Sequence, residues 1–402
     1  MDILKFRHSL ADKEEIVNNI FLGVWAVIFG FQFLCTTMID YSFFILPYRI
    51  CLIIMLAILG YRFIIAEHLW SDLAPMLFLL AAALGMLFFR HTKQYFIWAA
   101  VIAAAKDVRF DKIVRVSVAV GIFVMVIAFA GVQAGLVEDI VHNSRGGHIS
   151  HSLGIVYSTD CAAHVFYIIL GIFYLKWRGM RLGEYVAIAV IAIAVFEVTR
   201  ARNNTICTFL LMAAAIIYRL AEVYTQKNGK AEGFRRLFVI ACCAFMIFCI
   251  GFSLYHSFFF NADNPFISSL NGKLGGRYSM GYQAYCEYGL KLWGSDIPQF
   301  GGGGSSIWPD NYFFLDISYV SILLCQGIVI FMAALLLNVR TICVGRKNNV
   351  FLIVILALIA LQSMLEHHMI ELSYNYFLLA AFANIQQLPS EVMLKDEKEA
   401  AE

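Results

Sequence analysis

Long apolar runs broken by short polar loops dominate the chain. A hydrocarbon core about 30 Å thick takes roughly 20 apolar residues per helix. On that measure the runs 19–38, 43–65, 72–89, 94–106, 113–136, 154–176, 183–199, 204–222, 236–258, 313–338, 349–365 and 371–386 read as spans, the runs 94–106 and 371–386 being short. None alternates with a period of two, and lipid offers no partner to an open strand edge, so helices are expected throughout. The predicted fold is an all-α, polytopic integral membrane protein with about 12 transmembrane helices. Residues 1–18 and 389–402 are expected as cytoplasmic flanks of a single membrane domain, 19–388, without an internal repeat.

The loops differ in kind. Placing the N-terminus inside puts 21 of the 30 Lys and Arg inside and 8 outside, with Arg49 within a span. That imbalance predicts cytoplasmic termini. Two outer loops are long, 137–153 and 259–312. In the second, Tyr278, Tyr282 and Tyr285 recur at helical spacing ahead of Trp293, so 277–293 reads as an amphipathic helix on the membrane surface. The run from Gly301 to Gly304 follows as a mobile or tightly turned segment.

Composition narrows the class. A hydrophobic share of 61%, a charged share of 14% and a mean hydropathy of +0.75 exclude a soluble globular enzyme. A net charge of +2 gives no reason to expect a nucleic-acid partner. The 10 cysteines sit almost wholly in apolar runs and read as packing residues, not a disulfide framework. The first run, Ile20 to Met38, is too long for a signal-peptide core and is expected to remain as the first span.

Against this background, costly polar groups gather at the outer ends of the spans. Arg145, His148 and His151 precede a span that opens with Tyr157, Ser158, Thr159 and Asp160. An acid inside a span needs a cavity or a cation, and His164 falls on the same face as Asp160, which suggests an outward-opening pocket. Arg200 and Arg202 share a very short outer loop. They serve either as interfacial anchors or as forks for the diphosphate of a lipid carrier. Asn271 to Arg277 is a glycine-rich passage leading into the tyrosines, whose rings form either an interfacial belt or a platform for sugars. Trp308, Asp310 and Asn311 lead into a later span. Glu366, His367, His368 and Glu371 close the series. Adjacent histidines cannot share one helix face, which argues against zinc there.

Taken in order, these stretches resemble the bacterial O-antigen and capsular-polysaccharide polymerases (Wzy-type) and the O-antigen ligases. The stretches are Arg145 to Asp160, Thr199-x-Ala-Arg202, Gly276-Arg277 with the later run of glycines, and Asp310-Asn311-Tyr312 before a span ending at Gly327. The inner passage from Ala105 to Lys112 is also typical. The resemblance implies a metal-independent, cofactor-free glycosyltransferase of the bacterial plasma membrane. Its donor and acceptor are glycans on undecaprenyl diphosphate at the outer face, and a chain-length regulator and a flippase are expected partners. Arg202 and Arg277 match the family's diphosphate-holding arginines. Ligases of the family carry His where this chain has Asp310, and Ala201 replaces a usual Ser, so a polymerase is expected ahead of a ligase or a flippase.

The expected chemistry is a single inverting displacement. Arg202, Arg277, Arg145 and Arg200 neutralise the departing diphosphate. Asp310, His151 or His367 takes the proton of the attacking sugar hydroxyl. Tyr278, Tyr282 and Trp308 stack on the glycan. No metal is expected.

Overall fold

The structure, a computed structural model, describes residues 2–65, 70–143 and 147–386, with side chains described from residue 13 onward except that of Ile65. Its helices in chain order are α1 (Asp2–Leu34), α2 (Ile45–Ile65), α3 (Trp70–Arg90), α4 (Gln94–Ala104), α5 (Phe110–Gln133), α6 (Ser158–Lys176) and α7 (Leu182–Thr199). They continue as α8 (Arg202–Lys227), α9 (Ala231–Phe258), α10 (Pro265–Lys273), α11 (Arg277–Tyr288), α12 (Ser318–Ser321), α13 (Ile328–Asn348) and α14 (Phe351–Gln362). One small antiparallel hairpin, β1 (Val141–Asn143) with β2 (Ile149–His151), pairs His142 with Ser150.

Among the described residues nine helices are long and apolar enough to cross a membrane, against the twelve runs read from hydropathy. The protein is therefore an all-helical, polytopic membrane protein, and four of the expected spans take other forms. Run 94–106 becomes α4 and run 349–365 becomes α14, with 11 and 12 residues. At 1.5 Å per residue these rise only about 16–18 Å. Run 371–386 forms no α-helix at all; it packs as turns and a 3-10 segment, Tyr376–Ala381, with every residue of that segment buried. Run 313–338 is split at Gly327, and its membrane helix starts at Ile328. Apolar character marks burial as well as membrane contact, and hydropathy cannot tell the two apart.

The burial pattern gives the layering. The apolar window of α6 is 72% buried, while those of the other eight long helices are 17–39% buried. Helix α6 is thus central. Helix α14 is apolar on every face and packs against α9, α8 and α13. After α14 the chain turns at 363–371 and returns through the core, and Phe110 N donates to Asn384 O. Tyr376 Oη donates to Tyr167 O of α6 and locks this return leg to the centre. The outer helices present Ile53, Phe88, Phe123 and Ile247 outward, as a lipid-facing surface requires.

The basic loops collect at one end. Arg178 pairs with Glu222 at 2.7 Å, Arg340 with Asp72 at 2.7 Å, and Arg235 donates to the Lys347 carbonyl. The Ala105–Lys112 passage docks there too, since Asp107 N donates to Phe382 O. Residue 14, which pairs with Arg62, and residue 384 lie at this same end. The remaining loops gather at the opposite end. Arg90 pairs there with Asp296, Val141 N donates to Ser306 Oγ, and Gly304 N donates to Val156 O. The expected tail 389–402 lies outside the described residues.

Candidate functional site

The long loop delivers Arg277. Helix α10 ends at Lys273, Gly275 and Gly276 turn with φ of 79° and 83°, and α11 begins with Arg277. Only glycine enters that left-handed region without strain. Asn271 accepts from Tyr278 N (3.0 Å) and Ser279 N (3.2 Å), so it caps the start of α11 from the preceding helix. The glycine pair therefore shapes the turn that aims Arg277. Arg277 Nη1 donates to Leu274 O at 3.0 Å, and Nε stands 2.9 Å from Asp316 Oδ2. Burial works against the guanidinium charge, but the Asp316 and Glu366 carboxylates outweigh it and hold its pKa above the ordinary arginine value.

Glu366 is buried just beyond the end of α14. Burial pushes its carboxyl up to about 7, with Arg277 and His368 opposing that rise. Ser318 Oγ donates to the Glu366 carbonyl and fixes the turn. His368, fully buried, places Nε2 3.5 Å from Asp160 Oδ1 and Nδ1 3.5 Å from Glu371 Oε2. Burial alone would depress this imidazole; its two carboxylate partners reverse the effect and push it up to about 10. His367 Nε2 is 3.8 Å from Glu371 Oε1.

A stack of rings braces this cluster. Phe33 faces His164 at 3.7 Å, His164 faces Tyr374 at 3.9 Å, Tyr374 faces His368 at 3.8 Å, and His368 meets His367 at 4.1 Å. Thr36 Oγ1 is hydrogen-bonded to His164 Nε2 at 2.7 Å. His164 is thus a packing residue within the stack and does not line the pocket expected from its helical spacing to Asp160. Residues 366–371 are a turn and a 3-10 segment, not an α-helix. That overturns the argument that adjacent histidines must diverge. Donor atoms of Asp160, His367 and His368 all lie within 4.8 Å of one another, a grouping that could hold a metal ion.

The expected site residues divide sharply. His367 and Arg277 belong to the cluster. Arg202 opens α8 as an exposed residue. Its neighbour Asn203 donates to Gln362 O, and Asn204 donates to Thr159 O, which seats the start of α8 against the elements carrying Glu366 and Asp160. Arg200 follows α7 with φ 58° and pairs locally with Glu197 at 2.7 Å. Asp310 is exposed in the loop. The acid facing Arg277 is instead Asp316. His151 pairs with Asp139 at 2.6 Å, and Asp139 also accepts from Ser152 N and Leu153 N. That pair closes the hairpin, so His151 has a structural task. Arg145 lies outside the described residues. Arg49 is exposed in the first turns of α2 and joins no cluster.

The aromatic expectations change as well. Tyr278 is 1% exposed and packs its ring on Phe252 and His256 of α9, so it offers no face to a sugar. Tyr285 stacks on Phe258 at 4.5 Å. Helix α11 ends at Tyr288 and is docked on α9, where a surface-lying helix over 277–293 was expected. Tyr282 stays partly exposed, as does Trp308, whose ring meets His142 at 5.0 Å and Tyr312 at 5.2 Å. Gly302 sits against His142, Trp308 and Tyr157, which explains one member of the glycine run as a close approach. Asp316 is the residue the motifs did not name, while Glu366, His368 and Tyr157 stood in them without an assigned role. An acid within an apolar run was the available signal for Asp316.

No family model, no characterised protein and no solved structure matches this chain.

Proposed function

We propose that the protein is a glycosyltransferase that polymerises undecaprenyl-diphosphate-linked oligosaccharide repeat units at the outer face of a bacterial plasma membrane. The observation that carries this reading is Arg277, held by Asp316 beside the buried acid–histidine cluster, at the end of the bundle opposite the basic loops. Glycosyl transfer from a lipid diphosphate asks for that combination. A cation stabilises the charge that develops as the anomeric C–O bond breaks. A base takes the proton of the attacking hydroxyl as the new C–O bond forms. Glu366, with its carboxyl pushed up to about 7, suits the base at neutral pH. The positive-inside bias supports putting the basic end in the cytoplasm and the cluster outside.

Complementation tests the reading. In a strain lacking the gene, the wild-type chain restores long polymer, while Arg277→Ala and Glu366→Gln leave single repeat units on lipid at the outer face. Long polymer from both variants would reject the assignment. Repeat units trapped inside would favour a flippase, and transfer of intact polymer to a second acceptor would favour a ligase.

A further inference from the structure

Beside the cluster lies a cavity of about 230 Å³, with His367 and Glu371 in its wall. Tyr95 and Trp98 of α4 and the amides Gln299 and Gln326 complete the surface that matters chemically. One water needs about 10–15 Å³ of such space, so the cavity has room for something much larger. Three of its lining residues carry a buried polar atom with no hydrogen-bond partner: Trp98 Nε1, Gln326 Oε1 and His367 Nδ1. Trp98 as a whole is only 6% exposed. A buried donor or acceptor left unmade is costly, and natural structures rarely leave three together. The lining residues thus include an indole, an amide and an imidazole whose hydrogen-bonding capacity the protein itself does not satisfy.

The lining also says which ligand. No Lys or Arg is among the lining residues, so the diphosphate has no partner here and belongs with Arg277. Glu371 makes the wall unfavourable to another anion. The rings of Tyr95, Trp98 and Phe314 with two amides and a carboxylate suit a ring that is apolar on its C–H face and hydroxylated at its edge. We infer that this cavity binds one uncharged pyranose residue of the glycan, with His367 in the wall that it shares with the acid–histidine cluster. The inference rests on the proposed glycan chemistry for its biological meaning, but its binding test does not.

The full-length protein in nanodiscs is titrated with methyl pyranosides of glucose, galactose and N-acetylglucosamine, and with methyl glucuronide. Saturation-transfer NMR reads binding. At least one neutral pyranoside is expected to bind, and the glucuronide is not. Trp98→Phe keeps the ring and removes the N–H; Gln326→Leu removes the amide. Each is expected to weaken binding about tenfold, the loss of roughly one hydrogen bond. No binding by any neutral pyranoside, equal binding of the glucuronide, or binding indifferent to both variants would overturn the inference. Pyranoside binding with normal polymer from Arg277→Ala would reject the polymerase reading and leave the pocket standing. The reverse result would reject only the pocket.

Discussion

Arg277 Nε stands 2.9 Å from Asp316 Oδ2, so the first residue of α11 is held by an acid from the segment just before α12. The pair ties the long loop to the core at one charged contact. It also separates two acids six positions apart that look alike in sequence. Asp316 is largely covered and faces the arginine, while Asp310 is exposed. Asp310→Asn is therefore expected to keep wild-type polymer synthesis. Asp316→Asn is expected to lower it at least about tenfold, since a misplaced catalytic charge loses its transition-state contact. Quantified glycan ladders from the two variants check this directly.

The pH dependence follows from Glu366. Its folded carboxyl is raised to about 7 from an ordinary value of 4.5. A raised acid contributes stability that is complete below the ordinary value and is lost as pH rises through about 7. Activity runs the other way, because the base must be ionised, so the transfer rate is expected to climb through neutrality. Glu366→Gln should abolish that climb and flatten the difference in thermal stability between acidic and mildly alkaline buffer. Paired melting curves and pH–rate profiles of detergent-solubilised protein read both.

His368→Ala tests the buried charges. The imidazolium sits between Asp160 and Glu371, and removing it leaves two carboxylates without their shared cation. Breaking a buried pair from one side costs about 3–5 kcal/mol. The variant is expected to melt well below the wild type at neutral pH. His368 is held up to about 10, so the stability that it contributes is complete below its ordinary value of 6.5 and fades as pH rises through about 10. The melting difference between variant and wild type should shrink over that window.

Chelation separates two uses of the same atoms. Asp160, His367 and His368 could hold a metal ion, and to ligate one His368 would have to give up its proton and its pairing with the two carboxylates. Full transfer activity is expected after exhaustive treatment with EDTA. Loss of activity restored by Zn²⁺ would replace the charge pair with a metal centre.

Much of the fold was legible in hydropathy, because lipid-facing and core-facing helices both need apolar side chains. The same fact hid the return leg 371–385, whose burial against α4, α5 and α13 makes it as apolar as a span. It also hid the split at Gly327, where φ is 93° and an added Cβ would sit 2.4 Å from Leu292 O. The turn before Arg277 was legible because a run of glycines is a local pattern, whereas Arg277 itself was singled out through the resemblance. The Asp160–His368–Glu371 grouping was not, since it joins positions two hundred residues apart through the turn after α14. Tyr278 misled for a related reason: helical spacing places a residue on a face without saying what covers that face.

The most direct test is transfer by purified protein in proteoliposomes, given undecaprenyl-diphosphate-linked repeat units and no other protein. Wild-type protein is expected to lengthen the glycan and release undecaprenyl diphosphate. Arg277→Ala is expected to be slower by about 10²–10³, the scale for removing one transition-state donor, with its melting temperature close to wild type in the same detergent. A well-folded Arg277→Ala that elongates the glycan at the wild-type rate would contradict the account.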